Sequence, residues 1–281
     1  MSEHRPALEH IQAYADHLRL EEKSAATVEK YLRDVRAFAR WLEGREITKE
    51  RTAAWKTHLV ERGYAPASVN AMLSALNSLL DFLGFGDCRV KFLKVQRRMF
   101  RDDSRDLTRS DYNALTAAAK AQNKTRLALL MEAICATGIR VSEVQYITVE
   151  AARAGRAEVA LKGKIRTILI PSKLCRKLLK YAKQQKTASG EIFLTRNGTP
   201  LSRRQIWAEM KRLCKTAGVA ASKVFPHNLR HLFAAAFYRA SRDIVKLADV
   251  LGHSSLETTR IYLLTSGAEH QRQLDRLGLV S

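Results

Sequence analysis

The first 86 residues carry four stretches of apolar residues at three- and four-residue steps, the later ones ended by glycine. Val28, Tyr31, Leu32, Val35, Phe38 and Leu42 form the longest such stripe. That spacing lines one face of an α-helix and does not fit the two-residue alternation of a strand. Ser24 stands where an N-cap belongs and Gly44 where the helix must stop. A first helix is expected from about Pro6 to Leu20, with Leu8, Ile11, Tyr14, Ala15 and Leu18 on one face. A third follows Thr48 through Trp55 and Leu59 to Gly63, and a fourth has Pro66 in its first turn and Val69, Leu73, Leu76, Leu79, Leu80 and Leu83 as its stripe. Four short amphipathic helices of this kind bury their stripes only against each other, so residues 1–86 read as a small four-helix bundle.

The pattern then changes. Residues 87–107, with Arg97, Arg98, Arg101 and Arg105 among them, are basic and lack periodicity. They read as an interdomain linker, either along a polyanion or as a solvated loop. A second domain is expected over 108–281. Helices are expected at Thr108–Ala121 and Lys124–Thr137, with a short one at Val141–Tyr146. A β-hairpin joins Val159–Leu161 to Ile165–Ile170 around Lys162, Gly163 and Lys164. Further helices are expected at about 172–186, 202–217, 228–240, 243–251 and 255–262. The fold class is therefore mainly α, with an α+β second domain holding one small sheet.

The 281 residues carry 49 Lys and Arg against 28 Asp and Glu, a formal net charge of +21. The excess is spread along the chain, which favours a folded polyanion-binding surface, most simply for nucleic acid; a ribosomal or heparin-type surface is the bland alternative. Cys88, Cys135, Cys175 and Cys214 are too scattered for a zinc site or a disulfide frame and read as reduced thiols. Glu3, His4 and Arg5 open the chain where a signal peptide would have its apolar run, and the stretch Leu127–Ile139 is interrupted by Glu132. The expectation is a cytoplasmic, nucleoid-associated protein with no membrane contact. No metal cluster or nucleotide loop appears in the sequence, so no metal and no cofactor is expected.

Chemistry concentrates near the C-terminus. His227 and Arg230 are three apart at a helix start, so they share a face where an anion is favoured. His253 follows Gly252, Tyr262 lies nine residues on, and Arg140 follows Gly138 with Glu143 one turn later. Together these side chains suit attack on a phosphodiester by a tyrosine hydroxyl while cations hold the phosphate. Taken singly, each has an ordinary reading as core, surface or phosphate contact.

The stretch Ala136-Thr137-Gly138-Ile139-Arg140-Val141-Ser142-Glu143-Val144 resembles the first arginine box of the tyrosine recombinases. Pro226-His227-Asn228-Leu229-Arg230-His231 resembles their second box, and Leu251-Gly252-His253 with Thr258, Thr259 and Tyr262 their ending. Through Ser24, Thr27, Tyr31, Phe38, Trp41 and Leu42 the N-terminal part is similar to the SAM-like core-binding domain of Xer-like and integron-type members. A counterpart of the arm-binding domain of lambda-type integrases is not expected ahead of it.

The resemblance implies a site-specific recombinase that cleaves and rejoins DNA through a 3′-phosphotyrosyl bond on Tyr262, for integration, excision or resolution. Arg140 and Arg230 would grip the phosphate, His253 would donate to it, and His227 would assist proton transfer at the tyrosine. A hairpin lysine, Lys162 or else Lys164, would protonate the leaving oxygen; Glu143 would orient its neighbours. Neither ATP nor a divalent ion is implied. Double-stranded DNA is the implied partner, clamped between the two domains, with a dimer per site and a homotetramer on two sites.

A second recombinase or an accessory DNA-bending protein stays open. Arg33, Arg36, Arg40, Ser68 and Asn70 on the second and fourth helices are the N-terminal candidates for DNA contact, with ordinary solvation as the alternative. The tail from Ala268, with Leu274 and Leu277 apolar, is expected to dock on a neighbouring protomer or else on its own. A type IB topoisomerase-like enzyme and a catalytically silent DNA-binding protein are the competing readings.

Overall fold

The computed structural model describes residues 8–95, 103–161, 164–262, 272 and 275–277. Two compact units divide between Arg97 and Arg98. The first is the bundle: α1 (Leu8–Leu20), α2 (Ala25–Leu42), α3 (Lys49–Glu61) and α4 (Pro66–Phe82). Each start follows local chemistry. The Ser24 hydroxyl accepts the Thr27 N–H, the Thr48 hydroxyl accepts the Arg51 N–H, and Pro66 occupies the first turn of α4. The α2 stripe is buried as its spacing requires, with Val28, Val35, Phe38 and Leu42 at 5% exposure or less. α4 is the central element, its Leu73, Leu76, Leu79 and Leu80 all buried.

The stretch expected as a linker belongs in part to this bundle. Cys88 and Val90 are buried in its core. Asn77 in α4 both donates to the Val90 carbonyl and accepts the Val90 N–H, each at 2.9 Å, and Thr52 donates to the Cys88 carbonyl at 2.7 Å. Asn70 does the same to Leu93, at 3.0 and 2.8 Å. The two amides, seven residues apart on one helix, pair an extended segment as a neighbouring strand would.

In the second unit, Thr108 and Asp111 form a reciprocal cap on α5 (Arg109–Ala121). α6 (Thr125–Thr137) is the buried axis and ends at Gly138, whose φ of +66° suits only glycine comfortably; a Cβ there would run into the Phe233 ring. A 3₁₀ segment, Val141–Tyr146, leads to α7 (Val149–Ala154) and then to the hairpin of β1 (Arg156–Leu161) and β2 (Lys164–Leu169). The antiparallel register runs from Arg156 opposite Leu169 to Leu161 opposite Lys164. Ala157, Val159, Ile168 and Ile170 face the core, while Ile165 and Leu169 face outward.

α8 (Ser172–Gln184) packs on α6 and α7. The helix expected over 202–217 is two helices, α9 (Arg203–Lys211) and α10 (Cys214–Ala217). The Leu213 N–H bonds to the Met210 carbonyl, a tighter turn that interrupts the α-helical ladder. α11 (Pro226–Ser241), α12 (Ile244–Leu251) and α13 (Leu256–Arg260) complete the unit. Among the described residues no helix is long and apolar enough to cross a membrane.

Candidate active site

Arg230 is the centre. It lies one turn into α11, which starts where Pro226 fixes the first helical residue, and its side chain is fully enclosed at 2% exposure. Its guanidinium donates to the Gly138 carbonyl at the end of α6, to the Leu251 carbonyl at the end of α12 at 2.8 Å, and to His253 Nε2 at 2.9 Å. One planar fork thus holds three chain segments. Burial pushes the Arg230 guanidinium down, against the opposing influence of the Tyr262 phenol, yet arginine keeps its charge in proteins.

His253 is delivered by Gly252, which ends α12 at φ +63°. Its Nδ1 is 2.8 Å from the Thr259 hydroxyl, which is wholly buried. A guanidinium can only donate, so Nε2 accepts; the imidazole proton therefore sits on Nδ1 and is given to Thr259. Burial and then the positive charges of Arg230, Arg140 and Arg166, with His227, push His253 down to about 4.

Tyr262 follows α13 in a turn, its N–H on the Thr259 carbonyl at 3.0 Å. Its ring stacks on His253 at 5.8 Å and meets His231 edge-on at 4.4 Å; His227 lies 4.6 Å from His231 and 6.3 Å from Tyr262. The tyrosine is 6% exposed and packs with Ala234, Leu247 and Leu251.

Arg140 leaves the left-handed turn at Gly138 with its side chain 42% exposed, anchored to Glu143. The Glu143 carboxylate accepts the Arg140 N–H at 2.7 Å and guanidinium at 2.8 Å, and pairs with Arg166. Burial pushes the Glu143 carboxyl up, but these donors outweigh it and hold it below the usual carboxylate range. Three arginines, Arg140, Arg166 and Arg230, against one carboxylate leave the site cationic, as an incoming phosphodiester needs.

The fold thus brings Arg140, Glu143, His227, Arg230, His253 and Tyr262 together. Lys162 lies outside the described residues; Lys164 opens β2, paired in register with Leu161. Arg166 and Thr259 are the members that the site reading omitted. Arg166 was detectable, because a charged residue two positions before the buried Ile168 falls on the core side of a strand and must have a partner there.

On the bundle, Arg33, Arg36 and Arg40 are exposed on α2 and line an open groove of about 780 Å³ with Lys30; Ser68 is exposed on α4. Asn70 has both ends of its amide engaged by Leu93. The expected tail docking falls almost wholly outside the described residues. Among those described, no His, Cys, Asp and Glu side chains gather in a metal-holding group.

The phage integrase family model matches residues 105–268, and its N-terminal SAM-like domain model matches residues 11–84. The chain belongs to the phage integrase family. The tyrosine recombinase XerA of Thermococcus kodakarensis is 30% identical over 282 residues, covering 97% of this chain and 95% of that one. The tyrosine recombinase XerC of Roseiflexus castenholzii is 29% identical, covering 90% and 88%. In fold, this integrase-family chain is similar to a lambda integrase fragment solved as a dimer bound to a COC′ core site, with a TM-score of 0.72 at 20% identity, covering 91% and 94%. The resemblance read from the two arginine boxes and the tyrosine is borne out.

Proposed function

We propose that this protein is a site-specific DNA recombinase of the tyrosine class. The observation that carries the reading is the enclosed Arg230 fork, which joins Gly138, beside Arg140, to His253, with the Tyr262 ring stacked on that histidine. Tyr262 Oη attacks the scissile phosphorus, the bond to the 5′-oxygen breaks, and a 3′-phosphotyrosyl ester forms. The tyrosine proton passes towards His227, and the departing 5′-oxygen takes a proton from the hairpin lysine, Lys162, with Lys164 as its alternative. Arg140 and Arg230 hold the non-bridging oxygens as charge gathers on them. In the free enzyme His253 Nε2 accepts from Arg230. To donate to phosphate it must exchange its tautomer or take a proton, which the phosphate charge favours. Reversal of the steps with a different 5′-hydroxyl completes the exchange, and the ester conserves the bond energy.

The SAM-like bundle, residues 1–86, serves as the core-binding domain and residues 108–281 as the catalytic domain, joined by a basic linker. The duplex lies along both, with Arg33, Arg36, Arg40 and Ser68 facing phosphates from the bundle. A dimer on each site and a tetramer across two sites is the working assembly, the tail from Ala268 making the contact between protomers.

Covalent capture tests the chemistry. Genomic fragments from the surroundings of the coding region are incubated with the protein, and SDS-stable adducts are recovered. Wild type yields adducts; Tyr262→Phe yields none while its gel shift stays within about twofold. Adducts from both would assign the nucleophile elsewhere. A normal gel shift with no adduct from wild type would favour a binding-only role.

A further inference from the structure

β2 carries an arginine on its buried side. Arg166 shares the inward face with Ile168 and Ile170, and its side chain is only 14% exposed. Its guanidinium pairs with Glu143 through Nη2, and Nη1 donates to the Val250 carbonyl in the last turn of α12 at 3.0 Å. Nε is buried with no hydrogen-bond partner among the described residues, so the contacts are made by the two tips. Gly252 closes over this side chain. A Cβ there would run into Arg166 Cδ and come within 3.1 Å of its Nε. Glycine is thus required on two counts, the left-handed backbone and the arginine beneath it.

We propose that Arg166 is a positioning residue: it ties the Glu143–Arg140 pair to the end of α12, and so fixes the spacing between Arg140 and the Gly252-His253 turn. Glu143 cannot do this alone. Its contacts to Arg140 are local, three residues apart, and the Arg230 fork reaches α12 from the Gly138 carbonyl, so neither links the Glu143 carboxylate itself to α12. Arg166 spans that gap from a third element, the hairpin, at a sequence separation of 84 from Val250. The planar fork makes two directed contacts at once, which lysine, with a single ammonium, cannot reproduce in the same geometry. β2 is thereby tied to both the Glu143–Arg140 pair and the end of α12. The inference rests on the recombinase reading for what is being positioned, a phosphodiester.

The test uses the full chain and five variants: Arg166→Met, Arg166→Lys, Arg166→Ala, Gly252→Ala and the double Arg166→Ala/Gly252→Ala. Adduct formation on the captured genomic fragments should slow on the order of 100-fold in Arg166→Met, as for small displacements of reacting groups, with DNA retention kept. Arg166→Lys should recover only part of that rate. NMR titration should move the His253 midpoint upward in Arg166→Met, because one of the charges facing that ring (Arg230 and His227 on α11, Arg140 before the 3₁₀ segment, Arg166 on β2) is gone. Gly252→Ala should lower Tm less in an Arg166→Ala background than in wild type. A role in folding alone predicts a lower Tm with unchanged adduct rate, and that result overturns the proposal. So does an equal Gly252→Ala penalty in both backgrounds. If wild type forms no adduct, the recombinase reading fails by itself; the Gly252 comparison still decides whether Arg166 is seated beneath the α12 turn.

Discussion

Arg230 satisfies two helix C-termini with one side chain, since the Gly138 and Leu251 carbonyls close α6 and α12. Truncating it to alanine strands both carbonyls in a buried site, so Arg230→Ala should lower unfolding free energy by about 2–5 kcal/mol in urea titrations. Arg230→Lys is the cleaner probe of chemistry because it keeps the charge. Thr259 has an analogous task. Thr259→Val removes the acceptor of the His253 Nδ1 proton without changing volume much. It should cost about 1–3 kcal/mol and slow cleavage, whereas Thr259→Ser keeps the oxygen and should retain most activity. His253 also sets a pH dependence. Its ordinary pKa is about 6.5 and its folded value about 4, so between these the unfolded chain binds more protons. Stability from this group is therefore complete above pH 6.5 and falls as the pH drops towards 4. Glu143, held low, adds a loss in the same direction below its ordinary pKa of about 4.3. Urea midpoints at pH 4.5 and 7.5 should differ more for wild type than for His253→Asn.

Between α4 and the segment after it, two asparagines replace what a strand would supply. Asn77→Leu should cost about 1–3 kcal/mol, because the Val90 N–H and carbonyl lose their partner in a buried place. It should also raise amide exchange at Val90, where a surface substitution such as Ser68→Ala would not. These clasps explain where reading by periodicity stopped. The bundle was legible because its helices have long stripes and capping residues at the expected starts, Ser24, Thr48 and Pro66. The extended segment 88–93 has no repeat at all; its order comes from side chains 13 and 23 residues away. α7 escaped for a related reason, since its six residues span less than two turns and bury only Val149, Ala151 and Ala152. In the site, the two boxes and the late tyrosine were legible as residue types at fixed spacing, whereas Arg166 is joined to them by strand register, which a one-residue slip would reverse.

Charge is unequally divided between the two units. Met1–Arg97 holds 16 lysines and arginines against 13 acidic residues, a net of +3, so +18 of the +21 falls on Arg98–Ser281. Non-specific attraction to DNA is therefore chiefly a property of the second unit, and the bundle contributes through placement of a few arginines more than through its overall field. That makes its contribution countable. Each phosphate neutralised steepens the fall of log Kobs with log salt by about 0.9 on duplex DNA. Replacing Arg33, Arg36 and Arg40 by glutamine in the full chain should flatten that slope by roughly 2–3 if all three face phosphates across the α2 groove. Solvated arginines would leave it unchanged, because distant charges are screened within about 10 Å at 0.1 M salt. Fluorescence anisotropy across a salt series separates the two outcomes. It does so without knowledge of the target site, since the backbone term is the same on any duplex of equal length.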